Sequence, residues 1–178
     1  MAFDPNLLTL NRLAQFDAST PEDEDELSDL GLMLHASLDQ LDYWCTPTNA
    51  FTFASTGGDG VHFSLVDLGG GPSEDSPIVM TVPMAFGDLE PNWIVGATLR
   101  EFLALGIDIG FFRLEQLAYQ RDFPPHIESA RDGSRPPVLR RLADAFDLSS
   151  WRDVAGRLDE LSKVFGPTLK VRPVEEGP

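Results

Sequence analysis

Lysine is almost missing from this 178-residue chain, which carries it only at Lys163 and Lys170. No lysine therefore stands in the first 160 residues to form a Schiff base, and no GK[ST] triplet exists to seat a nucleotide phosphate. Cysteine is represented once, at Cys45, which excludes an intramolecular disulfide and any multi-cysteine zinc site. The three histidines, His35, His62 and His126, are too far apart for an H-x-x-x-H or H-E-x-x-H pair on one helix. No metal or cofactor is expected. No apolar run approaches the ~20 residues that a bilayer crossing needs. Residues 1–11 lack a basic leader followed by an apolar core, so no signal peptide is expected and the cytoplasm is the default location.

Basic charge is also missing from one long stretch. Between Arg12 and Arg100 there is no Lys or Arg, while residues 13–99 hold 15 acids. The whole chain has 29 Asp and Glu against 13 Lys and Arg, a formal charge of −16. Residues 100–178 are nearly balanced, so the excess belongs to one half of the chain. Nucleic-acid backbones and anionic membranes would be repelled by such a surface, which favours either a protein that meets something basic or one that is merely very soluble.

Hydrophobic spacing predicts an α+β domain over residues 1–166, with N-terminal helices, an antiparallel sheet of 3–5 strands, and C-terminal helices on one face. Asp4 and Pro5 suit the start of a first helix. Thr20-Pro21 opens a second, in which Leu27, Leu30, Leu34, Leu38 and Leu41 form one stripe interrupted by Gly31. Residues 46–95 form the sheet region. Phe51 and Phe53 alternate with polar neighbours, Gly57-Gly58-Asp59-Gly60 turns the chain, and Val61, Phe63 and Leu65 resume the alternation as a second half-buried strand. Ile78, Met80, Val82 and Met84 make a third strand, whose end Pro83 places at an edge or past the last ladder bond, and Trp93-Ile94-Val95 a short fourth. Thr98 and Glu101 have capping-box spacing before a helix that Gly106 ends. Another helix carries Phe111, Leu114 and Leu117 and finishes before Pro124-Pro125. Two further helices make an extension over 134–166, one with Leu142 and Phe146 and one with Trp151, Leu158 and Leu161. A box-like Ser150/Asp153 pair precedes the last of them. Residues 167–178 are expected to be a flexible tail.

Few residues invite chemistry. The Gly57–Gly60 run lacks both the following helix of a phosphate site and the repeated acids of a calcium loop, and reads as a structural turn. His62 alternates with Val61 and Phe63, which predicts a solvent-facing or hydrogen-bonded strand histidine. Cys45 reads as buried packing. Arg131, Arg135, Arg140 and Arg141 read as ordinary helix surface. Glu22-Asp23-Glu24-Asp25-Glu26 suits either a solvated helix start, favoured by the macrodipole, or a lure for a basic partner. Trp93 and Tyr119 are the candidate interface anchors. No nucleophile–base pair is visible, so no catalytic residue is assigned.

The stretch Phe51-Thr-Phe-Ala-Ser-Thr-Gly-Gly-Asp-Gly-Val-His-Phe63, then Ser76-Pro-Ile-Val-Met-Thr-Val82, then Ile94-Val-Gly-Ala-Thr-Leu-Arg-Glu-Phe-Leu103 resembles the SUKH superfamily over about residues 45–120. That superfamily includes fungal cell-wall-assembly regulators and bacterial toxin-immunity proteins. Its Pro-aromatic-x-x-Phe-Leu and Asn-Gly signals are not recognisable around residues 20–45, and the helices beyond Pro137 extend past the resemblance. The resemblance implies a protein-binding α+β domain without catalytic residues. Its immunity branch implies an inhibitor of a basic, nuclease-type toxin, and its fungal branch a regulatory scaffold with no toxin partner. The contact set expected for a basic partner is Glu22, Asp23, Glu24, Asp25, Glu26, Asp59, Asp67, Glu74, Asp75, Asp88 and Glu90, with Trp93 as the desolvated anchor.

Overall fold

Five antiparallel strands lie side by side in chain order: β1 (Met33–Asp39), β2 (Ala50–Ser55), β3 (His62–Val66), β4 (Ile78–Thr81) and β5 (Asn92–Gly96). The computed structural model describes residues 3–19, 26–120, 122–130 and 135–172. Helix α1 (Leu8–Ala18) precedes the sheet, and α2 (Leu99–Gly106), α3 (Gln116–Tyr119), α4 (Pro124–Ser129), α5 (Pro137–Phe146) and α6 (Val154–Phe165) follow it. The class is α+β. Among the described residues no helix is long and apolar enough to cross a membrane.

The strands β3 and β4 are buried along their whole length, so both faces of the sheet are covered there, not one. An aromatic cluster covers the helical face. Phe63 and Phe53 meet Phe102 of α2 with ring centroids 4.8 and 6.0 Å apart, and Phe102 meets Phe111 at 5.1 Å. A bulge between Thr52 and Ala54 sets Phe53 out of the regular ladder. Helix α2 crosses so near β5 that a Cβ on Gly96 would stand 2.6 Å from the Phe102 nitrogen. Leu10 of α1, Leu142 and Phe146 of α5, and Leu158 of α6 complete the same core.

The leucine stripe does not make a second helix. Thr20–Asp25 lie outside the described residues. From Leu27 the chain forms one 3-10 turn, Ser28–Leu30, and then enters β1. Gly31 stops the turn at φ +83°, where a Cβ would stand 2.4 Å from the Phe112 nitrogen. Leu34 and Leu38, four residues apart, share a face in a strand as they would in a helix, so their spacing does not separate the two.

Other boundaries shift for local reasons. Helix α1 begins at Leu8 because the Asp4 carboxylate accepts the Asn6 amide at 2.8 Å, making a turn ahead of it. The Thr98 hydroxyl caps α2 as expected, but Glu101 reaches back to the Ala97 amide at 2.6 Å. Pro124-Pro125 opens α4 instead of merely following a helix. Asp153, not Ser150, caps α6. Residues 168–170 are tied to the loop before β2. Asn49 Nδ2 donates to the Thr168 carbonyl and Lys170 N to Asn49 Oδ1, so the expected tail is anchored at least to Lys170. Residues 173–178 lie outside the described residues.

Arg135 is not simple helix surface. Its guanidinium donates at 2.6 Å to Asp108, whose side chain is 1% exposed, and the Ser150 hydroxyl donates to the same carboxylate oxygen at 2.8 Å. Replacing Arg135 by Ala strips a buried carboxylate of this cation. Because Arg135 itself is 26% open to solvent, the expected loss is about 2–3 kcal/mol, below that of a fully buried pair. Urea unfolding with an unchanged m-value checks it, and Arg135→Lys is expected to recover part of the loss.

Candidate functional site at one end of the sheet

The face of the sheet opposite the aromatic cluster carries a row of polar side chains. Register places Ser55, His62, Thr81 and Asn92 directly opposite one another across β2 to β5, with Thr52 and Ser64 paired one step away. His62 and Thr81 are fully buried, so each polar atom needs a partner. Thr81 Oγ1 donates to Asn92 Oδ1 at 2.9 Å, and Thr52 and Ser64 hydroxyls meet at 2.9 Å. The loop between β1 and β2 supplies the rest. Asn92 Nδ2 donates to the Cys45 carbonyl at 2.9 Å, and Thr46 Oγ1 stands 3.2 Å from His62 Nε2.

His62 Nδ1 lies 2.7 Å from the Gly60 carbonyl, which can only accept. The proton of the neutral ring is therefore on Nδ1, and the Thr46 hydroxyl donates to Nε2. Burial holds this imidazole below its ordinary pKa; the Gly60 carbonyl opposes that shift and nearby His35 adds to it. Of the two expected alternatives, hydrogen-bonded and solvent-facing, the first describes His62. The Tyr43 ring stacks on it, 5.5 Å between centroids and 23° from parallel.

Following Tyr43 outward leads to an exposed apolar surface. Trp44 stacks on Phe86 at 5.9 Å and donates its indole N–H to the Pro83 carbonyl at 3.1 Å. Phe86 is 56% exposed and Met84 51%, with Leu89 beside them on the same β4–β5 connection. Met33 packs at the neighbouring Gly57 turn, and Phe112 lies against Gly31 just before β1. Tyr119 is close enough to Asp59 and Glu115 for their charges to raise its pKa beyond the effect of burial. Tyr43, Trp44, Phe86, Phe112 and Tyr119 are the aromatic residues exposed among the described ones. All five stand at the end of the sheet that carries the β2–β3 turn.

The expected contact residues separate into groups. Glu22, Asp23, Glu24 and Asp25 lie outside the described residues. Glu26 is exposed near Asp17, whose carboxyl is raised by burial and then by the Glu26 charge. Asp59 tops the β2–β3 turn, and Asp88 and Glu90 are exposed on the β4–β5 connection beside Phe86. Asp67, Glu74 and Asp75 stand at the opposite end. Asp67 accepts the Gly69 and Gly71 amides, at 2.7 and 2.9 Å, and Glu74 accepts both the amide and the hydroxyl of Thr9. These two carboxylates hold loops in place.

Trp93 is only partly exposed. It donates its indole N–H to the Glu90 carbonyl and walls a groove with Leu117, Ala155 and Leu158 on the helical side. Trp44 and Phe86 were not singled out from the sequence. Tyr43-Trp44 falls in a segment without alternation, and although Val82, Met84 and Phe86 continue the alternation of β4, that strand ends at Thr81, before Pro83, and leaves them on the connection.

A cleft of about 310 Å³ opens beside Tyr43, lined by His35, Leu41, Ser55, the Gly57–Gly60 turn and Val61. His35 Nε2 is 3.3 Å from Ser55 Oγ at its floor. Burial and the Asp59 charge raise the nearby Glu115 carboxyl, against a lowering hydrogen bond from Gln116. Among the described residues no group of three or more His, Cys, Asp or Glu side chains is placed to hold a metal. No family model matches the chain, and neither the curated proteins nor the solved structures provide a match.

Two measurements probe the buried face. The Cys45 thiol is fully buried and burial pushes its pKa up from 9.0 to about 11. Its thiolate fraction at pH 8 is thus lower by about a hundredfold, and alkylation in native buffer is expected to be slower than in urea by at least that factor. His62, depressed in the folded state, binds fewer protons there than when unfolded. Folding stability is therefore expected to fall as pH drops below about 6.5, and His62→Gln is expected to flatten that slope in urea titrations.

Proposed function

We propose that this chain is a non-catalytic protein-binding module whose contact surface is the aromatic end of the sheet, and that its partner is a basic protein. The observation that carries the reading is the convergence of Tyr43, Trp44, Phe86, Phe112 and Tyr119 on one end, bordered by Asp59, Asp88 and Glu90. Large exposed apolar patches with polar rims mark interaction sites, and stacked aromatic residues are favoured anchors. Ion pairs among the described residues engage none of the acids from Asp59 to Glu90; they use Asp42, Glu101, Asp108, Asp147, Asp159 and Glu160. Those uncompensated carboxylates would steer a cationic partner and repel nucleic acid and anionic membranes. Arg113, next to Phe112, is the exception in sign on this border.

The finer reading is an immunity-type inhibitor of a basic, nuclease-type toxin acting in the cytoplasm. It is supported by the resemblance of residues 45–120 to the SUKH superfamily. Inhibition would work by occlusion, with acids taking the place of the phosphates the toxin grips.

Co-expression with the products of neighbouring genes, followed by capture at low and high salt, tests the proposal. A basic partner should be retained at low salt and weakened by salt. Trp44→Ser and Phe86→Ser should each lower affinity about 30-fold or more, as hot-spot residues do. Capture that strengthens with salt, or that survives both substitutions, overturns the contact surface. A captured partner that is harmless when expressed alone replaces the immunity reading with that of a regulatory scaffold.

A further inference from the structure

The cleft beside Tyr43 has features that the apolar patch lacks. Its walls are an aromatic ring, a carboxylate and a glycine turn, and its floor is a hydroxyl–imidazole pair. A volume of about 310 Å³ is at the lower limit for small-molecule pockets and suits one inserted side chain. Tyr43 is 40% exposed, stacks on His62 and lines the cleft, where its ring offers a flat apolar wall. Gly60 allows this placement, since a Cβ there would stand 2.8 Å from the Tyr43 ring. Asp59 makes no ion pair among the described residues. An anion in the cleft would meet its charge. A planar cation with donors along its edge would meet a stacking plane, a carboxylate and the Ser55 hydroxyl.

We propose that this cleft receives the guanidinium of an arginine side chain, stacked on Tyr43 and hydrogen-bonded to Asp59 and Ser55. The inference rests on the reading of this end of the sheet as the surface for a basic protein, and it names the residue type that the surface selects. Arginine fits better than lysine because the guanidinium is flat, weakly hydrated and able to give two parallel hydrogen bonds to one carboxylate.

The test needs no identified partner. The ¹⁵N-labelled full chain is titrated with N-acetyl-arginine N-methylamide, and in parallel with the citrulline and lysine analogues, while amide shifts are followed. The expected result is saturable shifts at Gly57, Gly58 and Gly60 with the arginine probe, none with citrulline, and clearly weaker binding of lysine. Asp59→Asn removes the charge while retaining a residue type that tolerates the left-handed backbone found there, φ 50°. It should weaken the arginine probe about tenfold without disturbing the remaining spectrum. No saturation, an equal response to citrulline or lysine, or undiminished binding by Asp59→Asn overturns the inference. Such a failure leaves the protein-binding proposal standing if Trp44→Ser and Phe86→Ser still weaken capture as expected above. If no partner is captured at any salt concentration, the titration still decides whether the cleft binds a guanidinium.

Discussion

A row of polar side chains crosses the sheet, fully buried at its centre, and is the constraint around which the binding end is built. Ser55, His62, Thr81 and Asn92 face the same side of four adjacent strands. Left without partners, the fully buried His62 and Thr81 would each cost about 1–3 kcal/mol, and the half-buried Ser55 and Asn92 less. The chain answers by laying the segment between β1 and β2 over this face, so that Thr46 reaches His62 and the Cys45 carbonyl reaches Asn92. That placement has an outward consequence. With Thr46 and Cys45 turned to the sheet, Tyr43 is stacked on His62 and Trp44 is set over Pro83 at the sheet end. The exposed aromatic surface and the satisfied polar face are two sides of the same loop.

The same loop ties the two ends of the sheet to different tasks. At one end, Asn49 joins the Asp67 carbonyl to the chain after α6, and Glu74 holds the first turn of α1. Polar groups there are spent on intramolecular bonds. At the other end, Asp88 and Asp59 are left exposed among apolar side chains. The acidic half of the chain is therefore not one surface. Some of its carboxylates stabilise loops, and others are available to a partner.

Alternation made β2, β3 and β4 legible, because apolar residues at every second position mark a strand, and β5 was legible as the short apolar run Trp93-Ile94-Val95. Three other features depended on what lies across the fold. Leu34 and Leu38 fit a strand and a helix equally, and Gly31 ends the helical turn because Phe112 occupies the space a side chain would need. Arg135 resembled its helix-surface neighbours, yet Asp108, 27 residues earlier in the chain, draws it into a buried pair. His62 lies on the polar side of its strand, as its alternation indicates, but that side is buried because another loop covers it. The acids of the candidate site were visible as composition. The aromatic anchors were not, since Trp44 and Phe86 are 42 residues apart and are brought together only by the fold.

Separating field from contact gives the charge asymmetry a defined role in the proposed complex. Electrostatic attraction acts over roughly the 8 Å Debye length of physiological salt, whereas stacking and desolvation act only at contact. Asp59, Asp88 and Glu90, beside the aromatic residues, thus supply the field a partner meets at this end, whereas Asp67 and Asp75, the length of β3 away, lie beyond that range. Trp44 and Phe86 contribute to lifetime once a partner has arrived, since truncating such anchors acts mainly on dissociation. The absence of lysine and arginine from residues 13–99 serves both stages. Apart from Arg113 it keeps the border of this surface of one sign as the partner approaches, and Asp59 makes no ion pair among the described residues.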